Sequence, residues 1–122
     1  RASHRRGGGR DAVTLVEVAV VLLPSAFQYD PESHRPSNPR VAAGIRFRPA
    51  WLTEETEIQK SMKTWAEATG VPLLDLTPVF REAIQSRPSL NYPLDGHWNE
   101  AGHAVAADAM AGWLKTKKVF GF

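Results

Sequence analysis

Asp95 and His97 stand two apart across Gly96, and the run continues Trp98-Asn99-Glu100-Ala101-Gly102-His103. A carboxylate beside an imidazole has a defined use: it accepts the Nδ1 proton, sets the tautomer, and supports the imidazolium that forms when Nε2 takes a proton. Gly96 lets the backbone bend so that both side chains converge. The pair sits just before the clearest helix signal in the chain, in the kind of loop where open α/β sheets gather ligand and catalytic residues. Trp98 is a candidate substrate-binding residue for an acyl pocket, with packing over the catalytic loop as its preferred role. His103, one turn into the last helix, is expected to pack behind that loop. A metal site would have to use Asp95, His97, His103 and Asp108. His-x5-His does not put two imidazoles on one helix face and no His-Glu-x-x-His occurs, so neither a metal nor another cofactor is expected.

The elements that must position this pair follow from punctuation and period. Residues Val13 to Leu23 form the most apolar run, rich in β-branched side chains and ended by Pro24, which predicts a buried strand over Val18 to Leu23. A rival reading joins this run to the preceding basic residues as a secretory signal peptide, but Glu17 inside the run opposes it. From Gln28 to Ala50 the prolines at 31, 36, 39 and 49 and four arginines leave no period, predicting a long surface loop or lid. Thr53 is a plausible N-cap for a helix with Glu54, Glu55 and Glu57 near its positive end. Ile58, Met62, Trp65 and Thr69 would form its core stripe, and Gly70 and Pro72 its stop. Val71 to Leu76 reads as a second strand, Thr77 as the cap of a helix with Pro78 at its first position, and Arg87 to Leu94 as a connector. Asn99 caps the last helix, whose core face holds Ala101, Val105, Ala109 and Trp113 while Lys115, Lys117 and Lys118 suit its negative end. Strands alternating with helices indicate a parallel α/β sheet, yet two strands make a poor independent core.

Composition bounds the rest. With 122 residues, 43% hydrophobic and 23% charged, the chain is one small domain or part of one, neither disordered nor membrane-spanning. The absence of cysteine excludes disulfides, thiol catalysis and Cys-ligated zinc. A net charge of +2 is too small to argue for nucleic acid as a partner. Residues 1–12 read as a flexible basic arm, 13–118 as the α/β portion, and 119–122 as a tail.

The run Asp95 to Ala107 resembles the C-terminal catalytic block of the SGNH (GDSL-type) serine hydrolases, in which an Asp and a His are followed by Asn, then Gly with His or Tyr, and an alanine-rich last helix. Val20 to Ser25 resembles the penultimate strand of that family and Val71 to Pro78 the strand before its catalytic loop. The likeness spans roughly Val13 to Lys115, and the last block is the specific part. It implies a partial flavodoxin-like three-layer α/β/α sandwich with parallel strands and a serine esterase or acyl-ester hydrolase activity. His97 would be general base and then acid, and Asp95 its partner. One residue between the two matches some acetyltransferase-like members, whereas Asp-x-x-His is commoner.

The family's Gly-Asp-Ser nucleophile block, its glycine block and its Gly-x-Asn-Asp block have no match here. Ser25 is the nearest candidate nucleophile, yet it reads as a loop residue. The expectation is therefore the C-terminal part of an SGNH domain truncated at its N-terminus, with the serine and the upstream half of the domain preceding Arg1. Such a chain would be catalytically incompetent by itself, and its exposed strand edge would favour self-association. The resemblance further implies a small-molecule or carbohydrate acyl ester as substrate and export to a periplasmic or extracellular compartment. The alternative from another class is an O-acetyltransferase-like or non-catalytic carbohydrate-binding (pseudoenzyme) module on the same scaffold.

Overall fold

The computed structural model describes residues 16–121, so the basic arm expected over 1–12 lies outside the described residues. Strand β1, Val20–Leu22, pairs in parallel with β2, Leu73–Asp75, in the register Val20↔Leu73, Val21↔Leu74, Leu22↔Asp75. Among the described residues four α-helices accompany them: α1 Pro39–Ala42, α2 Glu57–Thr69, α3 Thr77–Ala83 and α4 Glu100–Thr116.

Side chains alternate across a strand, so neighbours in the register define the two faces. Val21 and Leu74 pack against the cluster of Leu76, Phe80, Leu90, Val105 and Ala106, which places α3 and α4 on one face. Asp75 points the opposite way and accepts a 2.8 Å hydrogen bond from Gln59 Nε2 of α2. The order helix, sheet, helix is that of a partial α/β fold. Leu76, Phe80 and Leu90 are fully buried, each stabilising the fold by roughly 1.5–3 kcal/mol relative to exposure.

Several expectations move by a residue or a turn, each for a local reason. Helix α2 is capped by Thr56, not Thr53: Thr56 Oγ1 accepts from Gln59 N–H, and Gln59 Oε1 accepts from Thr56 N–H. Thr56-x-x-Gln59 is a capping box, whereas the residue three after Thr53 cannot reciprocate. The same box turns Gln59 and Ala66 inward. The expected core stripe is consequently displaced, with Ile58 at 68% and Trp65 at 41% exposure. Thr77 does not cap α3 either; Asp75 Oδ1 does so in its place, accepting from Thr77 N–H at 2.9 Å. The Thr77 hydroxyl is buried and makes no hydrogen bond of its own.

The expected loop from Gln28 to Ala50 is instead a succession of single turns. Ser25, Asp30 and Asn38 cap turns beginning at Ala26, Pro31 and Pro39, and another runs Pro49–Leu52. Of the prolines that read as breakers, Pro31, Pro39 and Pro49 are first-turn prolines, where the missing N–H costs nothing, and Pro36 lies in the turn closed by Asn38 N–H to Arg35 O at 2.9 Å. Phe27 and Phe47 stack with centroids 3.6 Å apart, and Arg81 ties the segment to α3 by donating to the carbonyls of Gln28, Trp51 and Glu54. After α4, Lys118 (φ 50) and Phe120 (φ 58) adopt left-handed backbone, at a cost of roughly 1–2 kcal/mol per residue. Val119 between them is buried.

Two glycines of α4 make a matched test. A Cβ at Gly102 would overlap the Leu90 carbonyl oxygen and crowd Trp98 Cβ, while one at Gly112 would meet nothing within 4 Å. Alanine gains about 1 kcal/mol of helix propensity at either position. At Gly102, overpacking of about 1–3 kcal/mol against a backbone atom should exceed that gain. Denaturant titration is expected to show Gly102→Ala destabilised and Gly112→Ala stabilised; equal effects would contradict the packing.

Acid titration tests the second link. Burial acts to raise the Asp75 carboxyl, but the Gln59 amide, the Thr77 N–H and Lys63 outweigh it and hold the group below the usual range. A carboxylate depressed in the folded state stabilises above its unfolded pKa, and that contribution is lost as pH falls through the folded value. Asp75→Asn should therefore flatten the acid limb of stability below about pH 4; an unchanged limb would show that Asp75 plays no part in it.

Candidate active site

The Asp95–His97 loop is built from its base upward. Leu90 is buried under α3 and α4, and Asn91 and Trp98 form an antiparallel bridge. Three backbone bonds close the loop: Asn99 N–H to Leu90 O at 3.1 Å, Tyr92 N–H to His97 O at 2.7 Å, and Gly96 N–H to Tyr92 O at 3.0 Å. The last needs left-handed backbone at residue 96, where glycine has φ +74. Asn99 then caps α4, its Oδ1 accepting from Gly102 N–H at 2.9 Å. Ser89 Oγ donates to Asn91 O at 2.7 Å, which secures the segment entering the loop.

At the tip, Asp95 Oδ1 accepts the His97 backbone N–H at 2.9 Å, and Oδ2 lies 3.2 Å from His97 Nδ1. The two side chains are 60% and 82% exposed respectively. An exposed ion pair contributes little in water, so the backbone turn, rather than charge attraction, sets this geometry. The His97 backbone N–H, then the imidazole, holds the Asp95 carboxyl below its ordinary range. With Nδ1 directed at the carboxylate, Nε2 is left facing outward to accept a proton.

Trp98 turns inward. Its ring stacks on Phe80 at 4.9 Å and meets His103 edge-on at 5.6 Å. Trp98 is thus half-buried beneath the loop, whereas His103, expected to pack behind it, touches only the edge of that ring and stays exposed on the first turns of α4. Asp108 lies five residues beyond His103 on α4, and among the described residues no three potential ligands converge on a metal position.

Four of the described serines, Ser25, Ser33, Ser86 and Ser89, are engaged elsewhere. Ser25 caps the Ala26–Gln28 turn in a capping box with Gln28, and Ser33 is buried, donating to Asp30 O at 2.6 Å. Ser86 donates to Ala83 O. Among the described residues no serine hydroxyl meets the His97 imidazole.

Sequence reasoning missed three residues that hold the loop. Tyr29, on the segment leaving the C-terminal end of β1, donates its hydroxyl to Asn91 Oδ1 at 3.2 Å, and burial pushes its phenol pKa up. Arg40 lies 4.4 Å over the Phe27 ring and against Gly96, where a Cβ would strike its guanidinium. Leu90 anchors the base. Nothing in a lone tyrosine of a proline-rich stretch signals such a role, and Arg40 read only as one of four arginines in a surface loop.

A family model described as SGNH hydrolase-like domain, acetyltransferase AlgX, matches residues 45–121. No curated protein and no solved structure matches the chain. The matched span contains α2, β2, α3, the whole Asp95–His97 loop and all of α4, and it is more than half of the sequence. The chain belongs to the SGNH hydrolase-like family of the acetyltransferase AlgX.

Proposed function

We propose that this chain contributes the general base of an SGNH-type acyl-ester reaction, with His97 moving the proton and Asp95 orienting and charging it. The observation behind this reading is the 3.2 Å approach of Asp95 Oδ2 to His97 Nδ1, on a turn that leaves Nε2 free. Family membership supports the same chemistry. The nucleophilic serine comes from outside the described residues, none of whose serine hydroxyls meets the His97 imidazole.

In the first half-reaction the serine Oγ bonds to the acyl carbonyl carbon as its proton passes to His97 Nε2. The tetrahedral intermediate then expels the alcohol, which takes that proton from Nε2 as the ester C–O bond breaks. Throughout, Asp95 keeps Nδ1–H oriented and offsets the imidazolium charge. Water attacking the acyl-serine completes hydrolysis. An acceptor hydroxyl in its place completes acyl transfer, the activity named in the description of the matched family. Both outcomes need the same base in the same place.

Two measurements test the reading. In a protein that carries this chain together with the serine, His97→Ala and Asp95→Asn should each lower kcat by about 10³–10⁴; near-normal rates in both would reject it. In the chain itself, nitrogen chemical shifts of His97 above neutral pH should report the Nδ1–H tautomer, reverting toward Nε2–H in Asp95→Ala. A tautomer indifferent to Asp95 would mean that the carboxylate does not orient the ring.

A further inference from the structure

Helix α4 has 17 residues, about 25 Å at 1.5 Å per residue, and the Asp95–His97 loop precedes its first turn. At its far end lies an open cavity of about 370 Å³, a volume ordinary for a small-molecule site. Val18, Leu73, Trp113 and Phe120 give it apolar walls, and the cationic residues Lys117 and Lys118 complete the lining. Glu17 is the one acid in the lining. Neither lysine pairs with a carboxylate among the described residues.

The backbone marks the same place independently. Lys118 and Phe120 are the two non-glycine residues with left-handed φ among those described, and both line this cavity. Lys118 follows the C-cap Lys117 and donates its N–H to Lys115 O at 3.3 Å, the position where helices ordinarily place glycine. The negative end of α4 accounts for a cation at Lys115 or Lys117. It does not account for a long side chain kept where glycine would relax the backbone. Local rules broken in this way accompany side chains retained for function.

We propose that this cavity binds a free amphiphile made of one alkyl chain and one carboxylate, a medium-chain fatty acid. The chain lies against Val18, Leu73, Trp113 and Phe120, and the carboxylate meets Lys117 and Lys118. The site is separate from Asp95 and His97 and does not depend on their role.

Titration of the ¹⁵N-labelled chain with sodium decanoate below its micellar concentration tests this. Saturable one-to-one shifts are expected at Val18, Leu73, Phe120 and the Trp113 indole, with the Asp95 and His97 amides unmoved. Lys118→Gly should bind decanoate about tenfold more weakly, as loss of a charged hydrogen-bond partner implies, while its Tm stays level or rises because the strained residue is gone. Lys117→Ala should weaken binding without that stabilisation, and decanol should bind less tightly than decanoate. Unchanged affinity in Lys118→Gly, shifts without saturation, or association only with phosphatidylglycerol vesicles would overturn the proposal.

Discussion

The approach of the α4 backbone to the Leu90 carbonyl at Gly102 is the constraint on which the site depends. It brings the first turn of α4 against the segment that enters the Asp95–His97 loop, with Trp98 held between them. Leu90 and Phe80 are fully buried in the same place, so hydrophobic burial holds the two ends of the loop at one spacing. The Asn91–Trp98 bridge and the Asn99 cap then fill the hydrogen-bonding capacity of the backbone around it. A pair as exposed as Asp95 and His97 cannot organise itself by attraction in water. Its order is inherited from the packed base beneath it.

The other polar network works in the opposite regime. Gln28, Gln59, Asp75 and the Thr77 N–H form a connected, largely desolvated series where the strands give way to helices. There a polar group left without a partner is expensive, so the series fixes the rotation of α2 about its axis. That rotation exposes Ile58 and Trp65. Apolar content loses to hydrogen-bond satisfaction at this helix, the reverse of the outcome at α4, where the buried face is apolar throughout.

Much was legible because it rests on local chemistry. Asn99 before an alanine-rich run, Gly70 after α2 and the Asp-Gly-His turn each act within a few residues and appear where local chemistry directs. The strand before Pro24 appears too, but only over Val20–Leu22 and half-buried, with Val18 and Leu23 exposed, because β2, its one neighbouring strand among the described residues, has just three residues to pair with it. The α2 cap was legible too, had Thr56-x-x-Gln59 been weighed against Thr53. The segment from Gln28 to Ala50 defeated a periodic reading for a physical reason: turns of three or four residues are shorter than the repeat such a reading looks for. Its order comes from Phe27 stacking on Phe47 and from Arg81, contacts between residues far apart in the chain.

The sequence by itself determined the α/β class, the ends of α4, and the proximity of one carboxylate to one imidazole, because two residues flanking a glycine cannot be far apart. Only the tertiary structure decided which way Trp98 faces, which stripe of α2 is buried, and that Tyr29 and Arg40 reach the loop from more than fifty residues away. Those outcomes are settled by competition among distant groups for a limited buried volume and a limited set of hydrogen-bond partners. No local pattern records the result of that competition.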